Sequence, residues 1–297
     1  MIPNSQWVES SDLEPEMQET TPARYHDAGG ILVPGGFGQR GWEGMMLAIK
    51  YARESKILFL GICLGFQLAV VEWARNVLDL PGAMSGEFDA EAKHPVVIFM
   101  PEISRTHMGG TMRLGLRPTV FEEGSETWSK ARALYGGACK IWERHRHWYE
   151  VNPAYVDRLQ RSGLCFVGKD EKGERMQVLE LKSLCCIYST RPTDTLAYNQ
   201  TYFIGLQAHP EFCTRPLNPS PPFLGFVGAA SGKDVLEEQL ENQKTTFKPP
   251  HPEHAMMNEA ELKAGKRLKE VFVTSPMEMV GGKEVPNGTA TPDETRE

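Results

Sequence analysis

A cysteine with a glycine two residues away on each side, Gly61-Ile62-Cys63-Leu64-Gly65, follows an apolar run and precedes a helical pattern. This is the spacing of a nucleophile elbow with a thiol in the serine position. The glycines permit the tight turn that lifts a side chain above a sheet. A helix beginning at residue 64 points its N-terminus at the sulfur and favours the thiolate. A thiolate that attacks an acyl carbon needs a base, and the base needs a partner to orient it. His209 and Glu211, two residues apart in Ala208-His209-Pro210-Glu211-Phe212, supply that pair just beyond another apolar run. Gly35-Gly36-Phe37-Gly38 follows a third such run and exposes backbone N–H groups. With the N–H of Leu64 it makes a candidate oxyanion hole. It lacks the Lys-Ser/Thr of a phosphate loop and the GxGxxG spacing of a dinucleotide loop.

The elements that must position these groups read as follows. Residues 30–33 and 57–62 are short buried strands, and each leads through a glycine-containing turn into a helical pattern, over 44–54 and 64–76. That alternation predicts a parallel α/β sheet, in which Cys63 and His209 converge at the carboxyl ends of the strands. Residues 95–100, 104–120, 148–151, 178–181 and 202–207 add strand candidates, and 223–230 begins a closing helix. Residues 7–14 read as a short strand and a turn. Beyond residue 231 Lys, Glu, Gln, Pro and Met dominate, with Pro249-Pro250-His251-Pro252 blocking regular structure. Residues 259–272 form one exposed helix on this reading, and 281–297 are expected to be disordered.

Composition narrows the classes. The chain has 297 residues and a formal net charge of -7, which argues against a nonspecific nucleic-acid binder. No apolar run approaches the roughly 18 residues of a membrane span, and the polar N-terminus is unlike a signal peptide. The six cysteines, at 63, 139, 165, 185, 186 and 213, form no CxxC pair, so reduced thiols and a cytoplasmic location are expected. His145 and His147 alternate as on one strand face but have no third ligand at metal spacing, so no metal site is expected. Cys185-Cys186 reads as part of a strand.

Taken together, these segments resemble a class I (triad) glutamine amidotransferase, and more narrowly the C-terminal glutaminase domain of the CTP synthase family. The resemblance is carried by ILVPGGFGQRGWEG (31–44), LGICLGFQLAVVEWARNV (60–77), GEF (86–88), HPVV (94–97), GGTMRLG (109–115), ERHRHWYEVNP (143–153), GERM (173–176), AHPEF (208–212) and RPLNPSPPFLGFVGAASG (215–232). It implies a flavodoxin-like α/β domain, with a mostly parallel sheet and helices on both faces, over 29–230. Residues 1–28 are then an N-terminal remnant, and 231–297 a largely disordered tail. It implies that Cys63 is the nucleophile, His209 the general base and acid, and Glu211 its orienter. Gly36 and Leu64 supply the oxyanion hole, with Gly65 and Phe66 beside it, and Gln67, Glu87 and position 148 hold L-glutamine. Residues 38–44 correspond to a lid that in this family responds to a nucleotide activator.

Three departures accompany the resemblance. No synthetase domain is recognised, so ATP and magnesium are expected only with a synthetase domain or chain as partner. The strand and helix that open the family domain, ahead of the segment resembling residues 6–14, are expected to be missing from this sequence, which would leave the place beside 31–33 without its strand. The motif usually written Arg-His-Arg-His-Arg-Tyr here reads Arg144-His145-Arg146-His147-Trp148-Tyr149. If the family contact runs through that side chain, its loss weakens glutamine binding by roughly 10- to 150-fold. The expected activity is hydrolysis of L-glutamine to glutamate and ammonia for amination of UTP to CTP. The alternatives are a non-catalytic relative that binds a synthetase partner, and a hydrolase of another γ-glutamyl amide.

Overall fold

In the computed structural model, residues 5–17, 27–100, 112–181 and 202–231 are described. The expectations for 104–111, for Cys185-Cys186 and for the tail from 232 onward lie outside these residues. The apolar runs form β1 (Gly30–Val33) and β2 (Leu58–Ile62), with α1 (Trp42–Glu54) between them and α2 (Leu64–Asn76) after β2. Then come β3 (Ala83–Ser85), β4 (His94–Phe99), β5 (Arg113–Phe121), α3 (Lys130–Leu134), β6 (Lys140–His147), β7 (Tyr149–Val151) and α4 (Pro153–Arg161). The described chain closes with β8 (Leu164–Lys169), β9 (Met176–Leu181), β10 (Phe203–Leu206) and α5 (Pro221–Ala230).

Seven strands form one sheet in the order β1-β2-β10-β9-β8-β5-β6. The α/β expectation holds where the chemistry sits: β1, β2 and β10 are parallel, in register Val33 with Gly61 and Gly205 with Gly61. From β9 to β6 every pairing is antiparallel. The run at 94–99 lies outside this sheet, in a three-stranded sheet with β3 and β7. Among the described residues β1 pairs on one side only, and Leu32 on its outer face is 39% exposed. Of the short strand and turn read over 7–14 only the turn is found: residues 7–9 make no strand, and 3-10 turns follow at Ser10–Leu13 and Pro15–Met17. Serines and acidic residues favour local backbone turns over a ladder. The segment buries Leu13 and packs so close to α1 that a Cβ on Gly44 would lie 1.9 Å from the Ser10 carbonyl oxygen.

The faces of the sheet are covered differently. Phe59, Val33 and Phe203 pack against Ile49 and Ala52 of α1, Phe66 and Val70 of α2, and Leu159 of α4. Leu60, Ile62, Ile204 and Leu206 pack against Ala131 and Leu134 of α3, with Phe223 and Phe226 of α5 beside them. Each fully buried Phe or Leu contributes about 1.5–3 kcal/mol. The short α3 is held at its start by Glu180 of β9, which accepts from Ser129 Oγ at 2.8 Å and from the Lys130 and Ala131 N–H groups at 2.8 and 3.3 Å. Asn152 caps α4, accepting from the Ala154 N–H at 3.0 Å, with Pro153 at its first turn. Among the described residues no helix is long and apolar enough to cross a membrane.

The packing of α2 on β1 depends on a missing side chain. A Cβ on Gly65 would lie 2.3 Å from the Val33 carbonyl oxygen. Gly65→Ala is therefore expected to cost about 1–3 kcal/mol and to lower Tm by several degrees in thermal denaturation followed by circular dichroism. An unchanged Tm would contradict this packing.

Candidate active site

The elbow holds Cys63 in a conformation other residues avoid, with φ 49° and ψ -95°. Such a backbone costs on the order of 1–3 kcal/mol and persists only where its surroundings enforce it. They do so here through two contacts. The Cys63 N–H donates to the Leu206 carbonyl at 2.7 Å, and the Gln67 N–H donates back to the Cys63 carbonyl at 3.1 Å. On the inner side of the turn, a Cβ on Gly61 would lie 2.8 Å from the Gly65 backbone. The thiol thus sits at the N-terminus of the 13-residue α2, where the first N–H groups have no partner within the helix.

His209 arrives from the end of β10. Its N–H donates to the Arg144 carbonyl at 2.7 Å, which fixes the loop against β6. Its Nδ1 is 2.6 Å from Glu211 Oε1, an interaction made within a single 3-10 turn at Pro210–Phe212. The imidazole is only 6% exposed, and its Nε2 is buried without a hydrogen-bond partner of good geometry. With Nδ1 taken by Glu211, Nε2 is the atom left to exchange a proton with the thiol. Burial works against a charged imidazole, but the interactions with Cys63 and Glu211 outweigh it and carry the His209 pKa up to about 10. The imidazolium is stabilised by the carboxylate and by the thiolate it faces.

The glycine loop closes over this pair. A Cβ on Gly35 would lie 2.7 Å from His209 Cε1 and 3.4 Å from Cys63 Cβ, and one on Gly36 would lie 3.3 Å from Leu64 Cδ2. The two expected oxyanion donors, Gly36 and Leu64, are therefore neighbours in space, beside Cys63.

Other expected site residues fall into two groups. Glu87, after β3, accepts from the Gly38 N–H at 3.3 Å, and desolvation raises its pKa. Trp148, between β6 and β7, packs its ring on Phe37 with centroids 5.5 Å apart. The side chain of Phe66, by contrast, is fully buried against Phe166 in the core, so it presents no ring to the site. Gln67 is also buried, and its Nε2 donates to the Tyr149 carbonyl at 3.0 Å and to Gln207 Oε1 at 3.2 Å. Of the segment expected as a lid, residues 42–44 already belong to α1, and Gln39 Nε2 donates to the Phe88 carbonyl at 3.3 Å.

Three contacts were not read from the sequence. Gln207 Nε2 donates to Cys63 Sγ at 3.7 Å, and the thiol points at the Arg146 carbonyl at 3.8 Å. The Arg146 guanidinium lies 5.6 Å from the Phe37 ring centre. Gln207 stands two residues before His209 at the end of the same strand, and that position was the available signal. The backbone acceptor at 146 leaves no trace in residue type.

His145 and His147 are buried on the opposite face of β6 from Arg146. Their rings meet at 3.1 Å, Nδ1 to Nε2, and His147 Nδ1 is 2.9 Å from the Tyr149 carbonyl. Desolvation holds both neutral, with the His147 pKa pushed down to about 3. Among the described residues no group of three or more His, Cys, Asp or Glu side chains is placed to hold a metal ion. Cys63 and Cys213 are free thiols.

The raised pKa of His209 sets a sign. The charged imidazole adds stability that is fully present below pH 6.5 and is lost as pH rises through about 10. The Tm deficit of His209→Asn relative to the wild type should accordingly be larger at pH 6 than at pH 10. A deficit that grows with pH would contradict the pairing.

The class-I glutamine amidotransferase family model matches residues 6–191. A CTP synthase of Neurospora crassa is 52% identical over 245 residues, covering 78% of this chain and 39% of the relative. One from Schizosaccharomyces pombe is 48% identical over 244 residues, covering 80% and 38%. The chain thus spans about two fifths of the length of these relatives. Among solved structures, a Trypanosoma brucei CTPS glutaminase domain with bound acivicin superposes with a TM-score of 0.65 at 34% identity, covering 77% of this chain and 81% of that one. The family match and this structural likeness agree: the chain belongs to the class-I glutamine amidotransferase family and carries a glutaminase domain of the CTP synthase type.

Proposed function

We propose that this domain hydrolyses the side-chain amide of L-glutamine to glutamate and ammonia, and that the ammonia serves a CTP synthase-type amination of UTP by a synthetase domain or chain. The observation that carries the reading is the placement of Cys63, His209 and Glu211 beside the Gly35–Gly36 backbone. His209 Nε2 takes the thiol proton, and the Cys63 thiolate attacks the amide carbon. The N–H groups of Gly36 and Leu64 receive the oxyanion, a term worth about 100- to 1000-fold in turnover per donor. The imidazolium then returns its proton to the leaving nitrogen, the C–N bond breaks, and ammonia departs from a γ-glutamyl thioester. Water gives a proton to His209, attacks the thioester carbon and releases glutamate, and the proton on His209 returns to the sulfur. Glu211 holds the imidazole in the tautomer that presents Nε2 throughout.

Glu87, beside the glycine loop through the Gly38 N–H, suits the α-ammonium of glutamine. Each step uses this chain's side chains and water, and ATP and magnesium belong to the synthetase reaction. The free thiols of Cys63 and Cys213 support a reducing, cytoplasmic setting. A non-catalytic relative is not favoured, because candidates for nucleophile, base and orienter are all present, with His209 Nδ1 2.6 Å from Glu211 Oε1.

Ammonia release by the purified chain over a wide glutamine range tests the proposal. Cys63→Ala should abolish turnover, and Glu211→Gln should lower kcat by about 100- to 10,000-fold while leaving the fold intact. Turnover that survives in Cys63→Ala would overturn it.

A further inference from the structure

The loop that carries the Gly36 donor has almost nothing of its own to hold it in place. Within Gly35-Gly36-Phe37-Gly38 only Phe37 has a side chain, and glycine-rich backbone is entropically costly to order. Phe37 is 47% exposed, yet its ring is flanked on two sides. Trp148 packs on it at 5.5 Å with planes 58° apart, and the Arg146 guanidinium approaches it at 5.6 Å. Both partners come from one stretch, the end of β6 and the residue after it, and the Arg146 carbonyl in that stretch is also the acceptor facing the Cys63 thiol. The opposite flank of the loop is tied by the Gly38 N–H to Glu87 and by the Gln39 side chain to the Phe88 carbonyl, each at 3.3 Å.

We infer that Trp148 is a positioning residue that latches the oxyanion loop through Phe37 rather than a ligand of the substrate. The proposal rests on the glutaminase reading of the site and deepens it. An indole offers one N–H donor and no positive charge, so it cannot pair with a carboxylate as arginine does. Its Nε1 is buried without a hydrogen bond, so packing holds the ring. Phe37 adjoins Gly36 in the chain, so whatever fixes the ring also fixes the N–H that must meet the oxyanion. Oxyanion donors act only when placed to within tenths of an ångström, and an aromatic pair is strong enough to set such a loop equilibrium. The tie between Gly38 and Glu87 makes the latch two-sided.

The test compares Trp148→Ala, Trp148→Phe and the Phe37→Ala/Trp148→Ala double variant with wild type in the full chain, using two readouts. In glutamine hydrolysis, Trp148→Ala should lower kcat by roughly 5- to 30-fold. KM should stay within about threefold of wild type, because the lost contact is not one with the ground-state substrate. Trp148→Phe, which keeps a ring at the contact, should recover most of the rate. The double variant should be at most a few-fold slower than Trp148→Ala, since the Phe37–Trp148 contact is already gone and only the Arg146 contact with Phe37 remains to be lost. Without substrate, amide hydrogen exchange over residues 35–39 should be faster in Trp148→Ala and restored in Trp148→Phe, with Tm nearly unchanged. A raised KM at unchanged kcat, or exchange indifferent to position 148, would overturn the latch. A folded wild type that releases no ammonia, but whose loop exchange still follows the ring at 148, would sink the glutaminase reading and leave the latch supported.

Discussion

Everything at this site depends on how closely bare backbone approaches backbone around Cys63. Gly65 lies against the Val33 carbonyl, Gly61 against Gly65, and Gly35 against the ring of His209, each at a separation that no Cβ would tolerate. These contacts bring β1, the elbow and the β10 loop into one small volume. They also hold Cys63 at positive φ, which an isolated chain would abandon. The nucleophile is thus presented by sterics before any hydrogen bond or charge acts on it. The electrostatic terms follow: the start of α2 beneath the sulfur, the imidazole beside it, and Glu211 beyond the imidazole.

The two halves of the sheet divide the work. The parallel half, β1, β2 and β10, delivers the glycine loop, Cys63 and His209 from three adjacent carboxyl ends, where a parallel sheet gathers its functional loops. The antiparallel half acts as a buttress. The Arg144 carbonyl of β6 anchors the His209 backbone, and the Arg146 carbonyl meets the thiol. Trp148, just past the end of β6, packs on the loop that faces Cys63. A single stretch of chain, residues 144–148, therefore touches the Cys63 thiol, the His209 backbone and Phe37 of the glycine loop.

Much of this was legible in the sequence, for physical reasons. The elbow, the His-x-Glu turn and the glycine loop are local patterns, each dictated by what a strand end must do to expose a group. The parallel half was readable because β-branched apolar runs alternate with helical periodicity. The antiparallel half was legible only in pieces: parts of β5 and β9 and the alternation of His145 and His147 on β6 read as strand, whereas β8 left no strand signal and no residue type gave the pairing. Contacts such as Gln207 on the thiol or Arg146 against Phe37 depend on how distant strands pair, which no local pattern encodes. At Phe66 the sequence does not tell backbone from side chain: the ring belongs to the core, while its backbone lies in the first turn of α2 just after Cys63.

The measurement that tests the central claim most directly is acid-quench mass spectrometry of the chain during turnover with glutamine. The account predicts a covalent γ-glutamyl adduct on Cys63, absent from Cys139, Cys165 and Cys213, that decays to free enzyme once glutamine is exhausted. Turnover with no adduct on Cys63, or an adduct on another cysteine, would contradict it.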